Sequence, residues 1–263
     1  MIPSEQLLAV AALAARRAGE HVLSQLERRS DVNRADKADV KHKLDVEAQE
    51  AAMGVIQSAY PDHPILGEET CDRDLPPHDY LWVVDPIDGT INFFHGSPWW
   101  CCSVAVRYQG KAAAGAVFAP ELGRLYTATC DGISRCNGRP IHVSGTADPA
   151  LAAFSTGSGG FTKGCFTPVF IDTFGKIVQR VRVNGAAALD QCMVAAGAFE
   201  GYFEPGIYHW DMAAGSLIVE RAGGRCTILR EYGGYRLSML ASNGILHDRF
   251  IEAIEPLLPQ SDQ

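Results

Sequence analysis

A chain of 263 residues, 47% of them hydrophobic and 21% charged, can bury a large core as one domain or two. Its 31 acidic residues against 23 basic ones give a net charge of −8, which argues against a nucleic-acid duplex or a membrane surface as partner. The eight cysteines are scattered, with no C-x-x-C pair and no paired histidine motif, so structural zinc is not expected and reduced thiols of a cytoplasmic protein are.

In chain order, Ser4 caps a first helix with apolar residues at 7, 10, 11, 14, 22, 23 and 26, an amphipathic pattern. Its apolar run, 7–15, is too short to span a membrane and lacks the basic segment of a signal peptide. Residues 27–43 are dense in charge and read as a solvated loop. A second helix is expected over 44–60, apolar at 46, 53, 55 and 56 and ended by Pro61. Asp45 sits at its N-terminal end, where a carboxylate complements the helix dipole; capping alone would explain it. Residues 64–66 form a short strand running into Gly67-Glu68-Glu69. Adjacent acids at a strand end repel unless they are solvated or share a cation.

Residues 80–84 read as a buried strand stopped by Pro86, which has no N–H to give a central sheet. The turn holds Asp85 and Asp88 together, Gly89 permits close approach of a ligand, and Thr90 caps a short helix from Ile91. Two carboxylates beside a helix start can hold a hard cation and an anion side by side, which points to metal-assisted chemistry on a phosphate. An Asx-type turn bonded only to backbone is the competing reading. Glu68 shortly precedes this strand, so two neighbouring strands would bring Glu68 to Asp85.

A three-strand meander is expected over 101–130, then a turn at Asn137-Gly138 and a short strand over 141–143. Helical signals follow at 161–163 and 167–179, a strand at 181–183, a helix at 186–198 ended by Gly201, and a strand at 202–204. Asp211 starts an apolar helix over 212–221, closed by Gly223-Gly224. Strands at 225–229 and 237–241 and a helix at 247–257 complete the chain.

Together, GEE at 67–69, DPIDGT at 85–90 and WDMAAG at 210–215 resemble, in order, the signatures of the inositol monophosphatase family of magnesium-dependent, lithium-sensitive phosphatases. RVNGAAALD at 182–190, NGRPIHVS at 137–144 and ASN at 241–243 extend the likeness through nearly the whole chain. The resemblance implies a single α/β (α+β) domain over 1–263, built as a five-layered α-β-α-β-α sandwich, and commonly a homodimer. It implies a phosphomonoesterase using two or three Mg²⁺ ions, with Mn²⁺ as a substitute.

By the same resemblance, Glu68, Asp85 and the carbonyl of Ile87 hold the first metal, and Asp85, Asp88 and Asp211 the second. A weaker third site touches Glu68. The backbone N–H groups of Gly89 and Thr90 bind phosphate. Thr90, oriented by Asp45, positions the attacking water with Glu68, while Glu69 lies behind the ligands. Glu204, Gly185 and Ala186 line the substrate pocket. No residue looks like a covalent phosphate acceptor, so direct attack by water is expected.

Two departures bear on the substrate. Lys41-His42 stands where the family usually has Val-Thr, and Ala186 replaces a usual serine. The first expectation is a small polyol phosphate, myo-inositol 1-phosphate foremost. The alternatives are histidinol phosphate, fructose 1,6-bisphosphate or a 3′-phosphonucleotide. A reading of another class is a non-catalytic divalent-cation sensor. Thr90, Asp45 and Gly89 argue against it, because a cation site needs neither a phosphate cradle nor a water-positioning hydroxyl.

Overall fold

The structure, a computed structural model, describes residues 1–35, 40–70, 75, 78–157 and 166–258, the side chains of 33–35 and 40–42 excepted. Helix α1 (Ser4–Leu23) turns a stripe of Leu7, Ala11, Ala14, Ala18 and Val22 inward, as its spacing predicts. Ser4 is its first residue and not its cap; the Ser4 hydroxyl donates to Asp131 instead, 2.6 Å away. A short hairpin, β1 (Val32–Ala35) and β2 (Val40–His42), crosses the charged stretch expected to be a loop. Helix α2 (Lys43–Ala59) buries Leu44, Ala48, Ala52 and Ile56, while Val46 is exposed. The inward stripe is therefore the alanine row at i, i+4 spacing, because small side chains let α2 lie close to its neighbours.

Strands β3 (Ile65–Gly67), β4 (Tyr80–Asp88), β5 (Cys101–Tyr108), β6 (Lys111–Ala119), β7 (Arg124–Thr129), β8 (Arg135–Cys136) and β9 (Arg139–Pro140) form one sheet in sequence order. Only β3 and β4 run parallel in it, and the five-residue helix α3 (Thr90–Phe94) follows β4. The expected meander is β5–β7. Residues 141–143 join no strand; their backbone instead bonds Ser134 and Ala222. The second sheet has the order β11 (Arg180–Val183), β10 (Ala153–Thr156), β12 (Gly201–Tyr208), β14 (Arg236–Ser242), β13 (Arg225–Gly233). Its first three strands are parallel and the other pairings antiparallel.

Helices α5 (Ala187–Ala195) and α6 (His209–Arg221) lie between the two sheets, and every residue of α5 is buried. Helices α1 and α2 cover the outer face of the first sheet, with Trp82, Phe93, Trp100 and Val104 beneath them. Helices α4 (Phe166–Phe174) and α7 (His247–Ile254) cover the outer face of the second, where Phe154, Phe170, Phe174, Phe203 and Phe250 cluster. The order of layers is thus α-β-α-β-α, with an apolar interface between each layer and the next. Each buried ring contributes about 1.5–3 kcal/mol, and the two sheets position the residues that converge between them. The helical signal at 161–163 falls outside the described residues.

Candidate active site

Strand β4 passes straight through Pro86, contrary to expectation. Its pairing to β5 slips by one residue between Asp85, opposite Ser103, and Asp88, opposite Cys101. Neighbour β3 has ended by then, with Gly67 opposite Val84, so the missing proline N–H falls at an irregularity flanked by a strand on one side only. The bulge turns both Asp85 and Asp88 into the interior, where they are 1% and 8% exposed. The parallel pairing does what was expected of it: Glu68 N donates to Val84 O at 3.2 Å, setting Glu68 beside the strand end that carries Asp85.

Asp85 is the centre of the arrangement. Its Oδ1 is buried and has no hydrogen-bond partner. Burial pushes its carboxyl well above the ordinary range, and the charges of Glu68, Asp88, Asp211 and Asp45 push it further. Asp45 is buried in the first turn of α2. Asp211 is the third residue of α6, which begins at His209, and not its cap. Its Oδ2 accepts Tyr208 N at 2.8 Å, an acid reaching back over the helix start. Burial and the charges of Glu68 and Asp88 raise Asp211 as well.

Asp88 has a second task that the sequence did not disclose. Its Oδ1 accepts Ala187 N at 2.9 Å, and its Oδ2 accepts Ala188 N at 2.8 Å and Leu189 N at 3.4 Å. It thereby caps α5, about a hundred residues away in sequence, as an anion at a helix N-terminus. Burial pushes its pKa up to about 6 against the pull of these N–H groups.

Gly89 has φ of 90° and precedes the first helical residue, Thr90, so α3 starts one residue before the expected position. A Cβ on Gly89 would lie 3.0 Å from Ala186 Cβ and Trp99 O and 3.1 Å from Gly185 O. The turn thus rests directly against the segment expected to line the substrate pocket. The Thr90 hydroxyl donates to Ile87 O at 3.1 Å. Ala186 is buried and precedes α5, whereas Gly185 is exposed. Glu204 lies on β12 where the pairing with β14 slips, accepts the Tyr202 hydroxyl, and would collide with any side chain at Gly157. Glu69 N donates to Gln49 Oε1 at 3.0 Å, so this segment is tied to α2. The side chains of Lys41 and His42 lie outside the described residues.

Three polar residues, Asn92, Asn184 and Asp190, have a role not assigned from the sequence. Asn92 donates from Nδ2 to Trp99 O at 2.8 Å and to Asn184 O at 2.7 Å. Asp190 Oδ1 accepts Trp99 Nε1 at 3.1 Å and Asn184 Nδ2 at 3.0 Å. The clasp joins α3, the loop before β5 and the segment before α5. Burial raises Asp190 to about 7. An acid inside an alanine-rich apolar helix was the available signal, since such a carboxylate must find internal partners.

Among the described residues, no three histidine, cysteine, aspartate or glutamate side chains form a preformed metal ligand set. The chemistry nevertheless fits a hard cation: oxygen donors only, an orphaned Asp85 oxygen, and mutual repulsion that a positive charge would relieve.

The model of the inositol monophosphatase family matches residues 4–258. The chain is 37% identical to the chloroplastic phosphatase IMPL1 of Arabidopsis thaliana, over 97% of this chain and 71% of that protein. It is 33% identical to the Nus factor SuhB of Pseudomonas aeruginosa over 98% of each. The solved structure of the Thermotoga maritima IMPase superposes with a TM-score of 0.85 at 32% identity, covering 96% of this chain and 98% of that one.

Proposed function

The chain belongs to the inositol monophosphatase family and is a phosphatase, and from that premise we propose that it hydrolyses a small polyol phosphate, myo-inositol 1-phosphate foremost. The observation that carries the reading is the buried Asp85, an unpartnered carboxylate oxygen in the field of four other carboxylates. Glu68, Asp85, the Ile87 carbonyl, Asp88 and Asp211 would hold two or three magnesium ions. When bound, these supply Lewis-acid stabilisation of the phosphoryl oxygens and lower the pKa of water.

The protein's own groups do the rest. The first N–H groups of α3, at Gly89 and Thr90, have no acceptor within the helix and donate to the phosphate. Gly89 lets the phosphate approach without a side chain in the way. Glu68 takes a proton from the attacking water, which Thr90 and Asp45 orient. A new phosphorus–oxygen bond forms to that water as the bond to the alcohol oxygen breaks; the departing alkoxide takes a proton from a second water, and Glu68 returns its own to the hydroxide left behind. Glu204 accepts hydroxyl hydrogens of the polyol beside Gly185 and Ala186. Glu69 holds the Glu68 segment to α2 through Gln49.

The single-domain reading is supported by α6, which packs on strands of both sheets. A cytoplasmic homodimer is the companion proposal. Its cytoplasmic part is in keeping with six described cysteines that are all free. Among the described residues no helix is long and apolar enough to cross a membrane.

The test is phosphate release from myo-inositol 1-phosphate, histidinol phosphate, fructose 1,6-bisphosphate and a 3′-phosphonucleotide, with magnesium and with chelator. The largest kcat/KM on inositol phosphate, lost on chelation, is expected. A preference for another ester replaces the substrate, and full turnover in chelator removes the metal assignment. Lithium is expected to inhibit at saturating magnesium.

A further inference from the structure

A cavity of about 420 Å³ opens between the β5–β6 hairpin and the flank of α6, and contains none of the carboxylates described above. Its volume falls within the range of small-molecule sites, about 300–1,000 Å³. Arg107, Lys111 and Arg221 line it together with His209, a local excess of positive charge in a chain whose net charge is −8. Met212, Leu217 and Ile228 give it an apolar wall.

Arg107 is the informative residue. Its Nε donates to Gly110 O at 3.0 Å and its Nη2 to the same carbonyl, while Nη1 lies 3.4 Å from His209 Nδ1. The guanidinium is thus fixed at the cavity wall by the tight turn at Gln109-Gly110, where both residues have positive φ. It is only partly exposed, and burial by itself pulls its pKa down, with no carboxylate opposing the shift. Neither Arg107 nor Lys111 has an ion-pair partner among the described residues. Removing a cation from water without a counter-charge is costly, and an incoming anion would relieve that cost. The acids nearby are Glu220, adjacent in sequence to Arg221, and Glu231, which acts on His209. Arg221 itself donates from Nε to Gly132 O at 2.7 Å.

We propose that this cavity is a binding site for a small organic oxyanion on a compact apolar body, its charged head held by Arg107 and Lys111 and its body against Met212, Leu217 and Ile228. The site is separate from the phosphatase centre but shares α6 with it, since Met212 follows Asp211.

Titration calorimetry of the metal-free protein with phenylacetate, and with the neutral phenylacetamide as control, tests the assignment. Metal-free conditions keep the acidic centre from competing for the anion. Saturable one-to-one binding of phenylacetate, at least about tenfold tighter than that of phenylacetamide, is expected. Arg107→Gln and Lys111→Gln, both changes of partly or fully exposed side chains, should each weaken it about tenfold and leave magnesium-dependent turnover unchanged. Absence of saturable binding overturns the proposal. So does phenylacetate binding that neither substitution alters, and so does equal affinity for the amide.

Discussion

Replacing Asp88 by asparagine sets two effects of similar size against each other. The carboxylate accepts backbone N–H groups on both oxygens, from Ala187 at 2.9 Å and Ala188 at 2.8 Å. An amide keeps one acceptor and, whichever way it faces, turns its own N–H toward a backbone N–H. In the better orientation, with the amide nitrogen facing Ala187 N, one buried donor is left unsatisfied, at a cost of about 1–3 kcal/mol. Against this stands the cost of the charge. Burial lifts the Asp88 pKa from 3.8 to about 6, so above pH 6 the ionised form destabilises the metal-free fold by on the order of 3 kcal/mol. Because the folded pKa is the higher one, that penalty is absent below about pH 4 and complete above about pH 6. Asparagine never carries it.

The terms nearly cancel. In chelator at pH 7.5 the melting temperature of Asp88→Asn should stay within about 8 °C of wild type by scanning fluorimetry. Phosphate release in magnesium should fall at least about a hundredfold, because a ligand and its charge are gone. Turnover like that of wild type would refute the metal assignment. A much larger loss of melting temperature would show that capping of α5 outweighs the burial of charge.

Glu204→Ala should raise KM for the best polyol phosphate about tenfold with a smaller change in kcat, as expected for one lost charge-assisted bond; an unchanged KM removes Glu204 from the pocket. Asn92→Ala breaks both bonds that join α3 to Trp99 and Asn184. It should lower stability in denaturant titrations by about 1–3 kcal/mol and raise KM, and a neutral outcome would show that the clasp is dispensable. His247 is buried, with Nδ1 2.7 Å from Ser242 Oγ and Nε2 2.8 Å from Thr227 Oγ1, and burial depresses its pKa to about 4. A base with a depressed folded pKa favours the fold above its unfolded value of 6.5 and loses that contribution as pH falls toward 4, by about 3 kcal/mol. Melting curves in chelator should show this decline, flattened in His247→Gln.

Local pattern alone gives which groups are available and in what order. The apolar spacing of α1, the meander of β5–β7 and the apolar run of α6 are local patterns, legible because each element must hide one face. The acidic motifs were legible as carboxylates at the ends of apolar runs, and their joint role came from the family resemblance of the ordered set. Other features depended on contacts between distant segments. Strand β10 carries only four residues and no alternation, and it exists because β11 and β12 flank it in register. β4 continues past Pro86 because β3 has already ended beside it. That Asp88 also caps α5, and that Asn92 and Asp190 tie α3 and the Trp99 loop to the segment before α5, followed only from the fold. A hydrogen bond depends on where its two partners lie, and partners about a hundred residues apart leave no periodic trace in either segment.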